Sequence, residues 1–406
     1  MKTKQILIVG AGPSGLMAAE KLAKRGFSVE IFEQMPTAGR KFLMAGRGGL
    51  NLTHSQDVSV FLDAYENSKE WFARHLSNFS ADELRAWADN LGADTFIGSS
   101  GRVFPKAMKA SPLLRAWLRH LEDLGVKLHL NHKWIGWGDE EELVFKSPNG
   151  DVSRRADAVI LAAGGASWPK LGANGHWVQY LNPETASLKP FKPSNMGFCL
   201  PWSSVFQDKY AGSAVKNIRL TAGGKSKVGE FIITKSGIEG GIVYAFSKAL
   251  RDQIDGFGAA DFSLDLFPNS IASELEQRLE KQPRKLSTVN KLRKSLNLKG
   301  VQAGLVEEVR RATGVVWASN AELAAFLKNI PLKTKAYQGL EKAISTSGGL
   351  EISSLNTALM LKAHPGVFCC GEMLDWEAPT GGYLLQGCFS TAVTAARGVQ
   401  EYLEAV

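Results

Sequence analysis

The chain opens on a short run with no polar position, Ile6-Leu7-Ile8-Val9, set between Gln5 and Gly10. A strand with one wet face would alternate, so this run predicts a strand buried on both faces, as in a parallel sheet. Beyond Gly10-Ala11-Gly12-Pro13-Ser14-Gly15, residues Leu16, Ala19, Leu22 and Ala23 recur at helical spacing until Gly26. Ser28-Val29-Glu30-Ile31-Phe32-Glu33 then predicts a second strand. The buried-strand pattern returns at 157–163 and 366–370, each time running into glycine, and 384–403 reads as one helix. Residues 126–131 predict a strand or hairpin, continued by Trp134-Ile135. Strand-like runs at 218–221 and 231–234 lie among glycine turns, and 270–328 is helical in pattern. Strands alternating with helices at both chain ends define an α/β class.

With 44% apolar and 22% charged residues in 406, disordered and fibrous classes are excluded. The longest strongly apolar stretch, 156–166, falls well short of the ~20 residues a membrane span needs. The apolar run at 6–10 is shorter than a secretory core of roughly 7–15. No membrane association and a cytoplasmic location are the expectations. Cys199, Cys369, Cys370 and Cys388 show neither C-x-x-C nor metal spacing, so they are expected to pack, and no metal site is expected. A net charge of +8 suits a polyanionic partner and equally a binder of an anionic cofactor.

The first thirty-three residues carry the clearest chemistry. Gly10 permits a tight turn, Gly12 lets the backbone approach a pyrophosphate, and Gly15 lets helix and strand pack closely. Pro13 and Ser14 begin a helix whose N-terminus faces the phosphates. Glu33, followed by Gln34, closes the second strand 23 residues after Gly10 and is placed to accept hydrogen bonds from an adenosine ribose. The next segment, 39–53, reads as a loop for the rest of an extended dinucleotide, or as a solvated basic loop. In the first case Gly39 supplies flexibility, Arg40 and Lys41 neutralise phosphate, and Asn51, Leu52 and Thr53 meet a ribityl chain or ring edge. Backbone at Trp134 is a candidate adenine contact, and Ala163-Gly164-Gly165 ends a buried strand where ligand crevices lie. Near the C-terminus Gly371, Glu372, Asp375, Gly381, Gly382 and Tyr383 precede a helix whose positive end would stabilise charge on a reduced flavin. Two dinucleotide halves at opposite chain ends fit FAD better than NAD. No second G-x-G-x-x-G is present, so NADH or NADPH as electron donor would dock transiently against the flavin.

These motifs together, with Gly101-Arg102-Val103-Phe104-Pro105 and Ser167-Trp168-Pro169, resemble the YhiN-like (BaiN/RdsA) family of FAD-dependent oxidoreductases over nearly the whole chain. The resemblance implies a discontinuous Rossmann-like FAD-binding domain with an inserted β-barrel-like module and a small helical subdomain. The boundaries expected here are 1–190 with 342–406, 191–268 with 329–341, and 269–328. Two departures stand out. Leu50 occupies the position of a family cysteine in Gly46-Arg47-Gly48-Gly49-Leu50-Asn51, and Gly175-His176-Trp177 replaces a common Gly-Asp-Gly.

The resemblance implies two substrate classes: uridine in 23S ribosomal RNA, reduced to dihydrouridine, and steroid-like small molecules. Both place a carbon–carbon double bond beside a carbonyl. For RNA, residues 281–300 hold seven Lys or Arg and no acid, a phosphate-tracking segment or simply a solvated helix face. For a small apolar substrate, Trp168, Trp177, Trp376 and Tyr383 supply apolar surface or core. His54, His176 and Tyr383 are candidate proton donors, His176 and Tyr383 being taken as the catalytic pair. An FAD-binding protein without turnover is the third reading.

Overall fold

The computed structural model describes residues 3–283 and 286–406. Two compact units result, one running to Pro193 and resuming at Leu340–Val406, the other Ser194–Gly339.

In the first unit β1 (Gln5–Val9), β2 (Ser28–Glu33), β3 (Lys127–Leu130), β4 (Ala158–Leu161) and β5 (Val367–Cys369) form a sheet in the order β3-β2-β1-β4-β5, every neighbouring pair parallel. Ile6, Leu7 and Ile8 are fully buried, which accounts for the missing polar positions in β1. The order places the ends of β1 and β4 beside each other where the strand sequence reverses, the usual crevice of such sheets. Helix α1 (Pro13–Ala23) follows β1, and α2 (Tyr383–Ala405) closes the chain and packs against α1. Gly15 is required at their base: a Cβ there would lie 1.9 Å from the Gly10 carbonyl oxygen. On the buried side of α1, Glu20 accepts the indole N–H groups of Trp87 (2.9 Å) and Trp117 (2.7 Å) and pairs with Lys24 (2.5 Å).

The segment 126–131 is a strand of the parallel sheet, whereas Trp134 belongs to a separate antiparallel sheet of Lys133–Trp137, Leu143–Ser147 and Gly150–Arg154. The segment 39–53 is not a loop throughout. Arg40–Ala45 is a short helix entered through Gly39 at φ 65°, because Leu114 fills the space a side chain would take.

In the second unit seven antiparallel strands follow the order Ile330–Thr334, Ala260–Asp265, Ala214–Ala222, Lys225–Thr234, Gly237–Glu239, Phe198–Cys199, Ala336–Tyr337. The first and last of these are one stretch of chain interrupted only at Lys335, so the sheet curls back on itself in barrel-like fashion. Thr334 joins the two ends by donating its hydroxyl to the Cys199 carbonyl (2.8 Å). Helices Ala272–Glu280, Thr288–Leu296, Gly300–Thr313 and Asn320–Lys328 belong to the same compact unit. Arg284 and Lys285 of the basic segment lie outside the described residues. Among the described residues no helix is long and apolar enough to cross a membrane, and no acidic, His or Cys cluster has metal-holding geometry.

Candidate functional site

A cleft lies in the first unit at the carboxyl ends of β1, β2 and β4. Gly10, Gly12, Pro13 and Ser14 form one wall, and Glu33 and Gln34 another. Gly39, Arg40 and Lys41 border it, as do Ala163, Gly164, Trp134 and Glu372. The helix α1 begins at Gly12 with no side-chain cap, so its first N–H groups point outward unsatisfied. A Cβ on Gly12 or Gly164 would meet nothing within 4 Å, which shows that both backbones face open space. Arg40 Nε and Asn51 Oδ1 are buried without a partner among the described residues. An anionic dinucleotide in the cleft supplies acceptors for the helix N–H groups and for Arg40. The donor set therefore fits FAD.

Glu33 holds the turn as well as facing the cleft. Its carboxylate accepts the N–H of Ala11 (2.8 Å) and of Met35 (2.9 Å), one on each oxygen. Burial raises its pKa, while the two N–H groups and Arg40 pull it back. Each oxygen retains a second lone pair for a ribose hydroxyl. Gln34 donates to the Gly172 carbonyl (2.6 Å) and so ties the 169–180 loop to the cleft rim.

Several expected contacts are made within the protein instead. Lys41 is ion-paired to Glu372 (2.5 Å) and bonded to Ser167 (2.5 Å), so its charge is already balanced, whereas Arg40 bonds neutral Thr37 and keeps its charge for phosphate. Glu372 also accepts the Thr346 N–H (3.0 Å), drawing together the turns after β4 and β5. Asp375 does not line the cleft: it is paired to Lys189 (2.6 Å). Gly165 is packed against Thr346, and Gly371 against Ser14, so both permit close approach of chain to chain. Leu52 and Thr53 are fully buried, Thr53 donating to Gln386 (2.8 Å). Gly382 rests on the Thr53 backbone, where a Cβ would sit 2.5 Å from its Cα. The cleft does not include Asn51, Gly381 or Tyr383, but it reaches Cys388, five residues into α2 and thus roughly 8 Å along its axis from Tyr383.

The two catalytic candidates separate. His176 is exposed on the cleft rim in the loop that Gln34 holds. Tyr383 is half-buried, stacked on His54 at 5.8 Å and packed edge-on against Phe61. Trp177 lines the cleft and donates to Gly164 (2.8 Å), whereas Trp376 is core, packed on Phe72 and Tyr65. Trp134 takes part through its buried ring, its indole N–H being held by Gly136. Cys370 and Cys388 line the cleft, but burial pushes both thiols up, Cys388 to about 12, leaving apolar wall. Sequence reasoning missed these thiols, His132 and Tyr180, all of which follow from neighbours distant in the chain.

A parallel sheet with a fingerprint turn, an acid closing its second strand and a cleft at the carboxyl ends of its strands define a Rossmann-type domain. The HI0933-like protein Rossmann domain model matches residues 4–398, and the chain belongs to that family of FAD-dependent oxidoreductases. It is 25% identical to the ribosomal RNA dihydrouridine synthase of Haemophilus influenzae, over 97% of this chain and 98% of that protein. It is 26% identical to the 3-dehydro-bile acid delta(4,6)-reductase of Clostridium scindens, over 98% of this chain and 99% of that protein. The fold is shared with a flavocytochrome c3 fumarate reductase in its open conformation (TM-score 0.54, 20% identity, 98% of this chain and 78% of that one).

Proposed function

We propose that the chain binds FAD along the cleft and reduces a carbon–carbon double bond conjugated with a carbonyl, its substrate being a uridine of ribosomal RNA. When bound and reduced, FAD supplies a hydride equivalent for the β-carbon. The uncapped start of α1 and Arg40 bind the pyrophosphate, Glu33 orients the ribose, and Trp134 walls the adenine. Asn51 and the first turn of α2, braced by Thr53, meet the ring end. Tyr383 holds the proton for the α-carbon, a phenol kept protonated at neutral pH because burial raises its pKa. NADH or NADPH reduces the flavin by transient docking.

The observation that carries the RNA reading is surface charge. Lys281, Arg293, Lys294 and Lys299 are exposed in and beside the helix Thr288–Leu296, and the segment holds no acid. Lys291 contributes less, being bonded to Asn320 (2.9 Å). Changing Arg293, Lys294 and Lys299 together to Gln is expected to reduce the log–log salt slope of ribosomal RNA binding by up to about 3, at ~0.9 per phosphate on a duplex, with FAD content unchanged. An unaltered slope removes the segment from the RNA contact. A second reading, reduction of a small apolar enone, draws support from the likeness to the bile-acid reductase. Nucleoside mass spectrometry separates the two, because loss of the gene then leaves dihydrouridine in ribosomal RNA unchanged.

A further inference from the structure

The motif Gly101-Arg102-Val103-Phe104-Pro105 lies outside the cofactor cleft, and its strand has a geometry of its own. Arg102–Pro105 pairs antiparallel with Thr53–His54, with His54 directly opposite Arg102. Opposed residues on such a pair share one face. Gly101, at φ 80°, makes room for the imidazole: a Cβ there would fall 2.4 Å from His54 Cε1. His54 Nδ1 accepts the Gln56 N–H (3.3 Å), so in the neutral ring the proton sits on Nε2. The same ring lies parallel to Tyr383, at an interplanar angle of 11°. Tyr65 donates its hydroxyl to the Tyr383 carbonyl (2.8 Å) and fixes the backbone at the start of α2.

Arg102 is half-buried, yet its guanidinium makes no hydrogen bond or ion pair among the described residues. Its nitrogens still reach solvent, so a ligand oxygen can replace water there and gain a charge-assisted hydrogen bond. The neighbouring groups share its polarity. Burial raises the Tyr383 pKa, and Gln56 and the Arg102 charge pull it part of the way back.

We infer that Arg102, with Tyr383 and His54 beside it, binds the carbonyl oxygen of the substrate. This rests on the reading of the chain as a reductase of conjugated carbonyl compounds and names the group that recognises the carbonyl. Arg102 draws electron density toward the oxygen and so makes the β-carbon more electrophilic. The double bond gains one hydride at the β-carbon and one proton, from Tyr383, at the α-carbon; the hydride equivalent comes from reduced FAD, and solvent returns the proton to Tyr383.

The test uses the FAD-loaded full chain in its oxidised form, with cyclohex-2-enone as the probe. Binding is read from perturbation of the flavin spectrum, so no turnover is needed. Arg102→Gln is expected to weaken probe binding roughly 10- to 150-fold, the range for a lost charge-assisted hydrogen bond, with Arg102→Lys recovering part of it. Tyrosinate absorbance, taken as wild type minus Tyr383→Phe, is expected to titrate at higher pH in Arg102→Gln, since removing a nearby cation disfavours phenolate. FAD content stays normal, because Arg102 does not line the cofactor cleft. Unchanged probe affinity, an unmoved tyrosinate midpoint, or no probe binding by the wild-type chain overturns the assignment. Persistence of FAD-dependent double-bond reduction in that case leaves the proposed function standing without Arg102.

Discussion

Glu20→Leu is expected to cost the protein about 2–6 kcal/mol, a large share of a typical 5–15 kcal/mol of net stability. The carboxylate is fully buried on α1 and accepts both Trp87 and Trp117 indole N–H groups on one oxygen. Leucine restores the apolar volume but leaves two buried donors unsatisfied, at about 1–3 kcal/mol each. Lys24, which is partly exposed, regains water and adds little. Urea unfolding followed by tryptophan fluorescence checks this. A loss under about 1 kcal/mol would mean that water replaces the carboxylate at both indoles, contrary to the packing seen around them.

Glu33→Ala is expected to weaken FAD binding by at least about 10- to 150-fold, the equivalent of a 1.5–3 kcal/mol charge-assisted hydrogen bond to ribose. The structure adds a second route to the same loss. Without the carboxylate the N–H groups of Ala11 and Met35 have no acceptor, and the turn at Gly10–Gly15 loses the tie that preforms it. Glu33→Gln keeps one carbonyl oxygen for a backbone N–H and should fall between wild type and alanine. Equilibrium titration of apoprotein with FAD measures all three. Equal affinities would show that the acid contacts neither ribose nor a turn that matters for binding.

The parallel sheet was legible because its strands are buried on both faces: a run such as Ile6-Leu7-Ile8-Val9 has no other home in an α/β chain. The start of the last helix was legible to one residue, Leu384 against Tyr383, because Gly381-Gly382 precedes it. The fingerprint turn and Glu33 were legible because their spacing is local. What sequence could not carry was the pairing of charges far apart in the chain. Lys41 with Glu372 and Lys189 with Asp375 are each separated by more than 180 positions, so a cation and an acid that look aimed at the cofactor are partners of protein groups. The separation of His176 from Tyr383 has the same origin, since a lone residue type says nothing of which rim it reaches. The barrel-like module was expected from the family resemblance and not from local pattern, since its closure depends on Ile330–Thr334 and Ala336–Tyr337 lying at opposite ends of one sheet.

The cofactor content of the purified chain tests the central claim most directly. One FAD per chain, released into solution by acid precipitation because the cleft-lining thiols Cys370 and Cys388 are held protonated rather than reactive, is the result expected. Colourless protein that takes up no FAD after refolding in its presence would contradict the account.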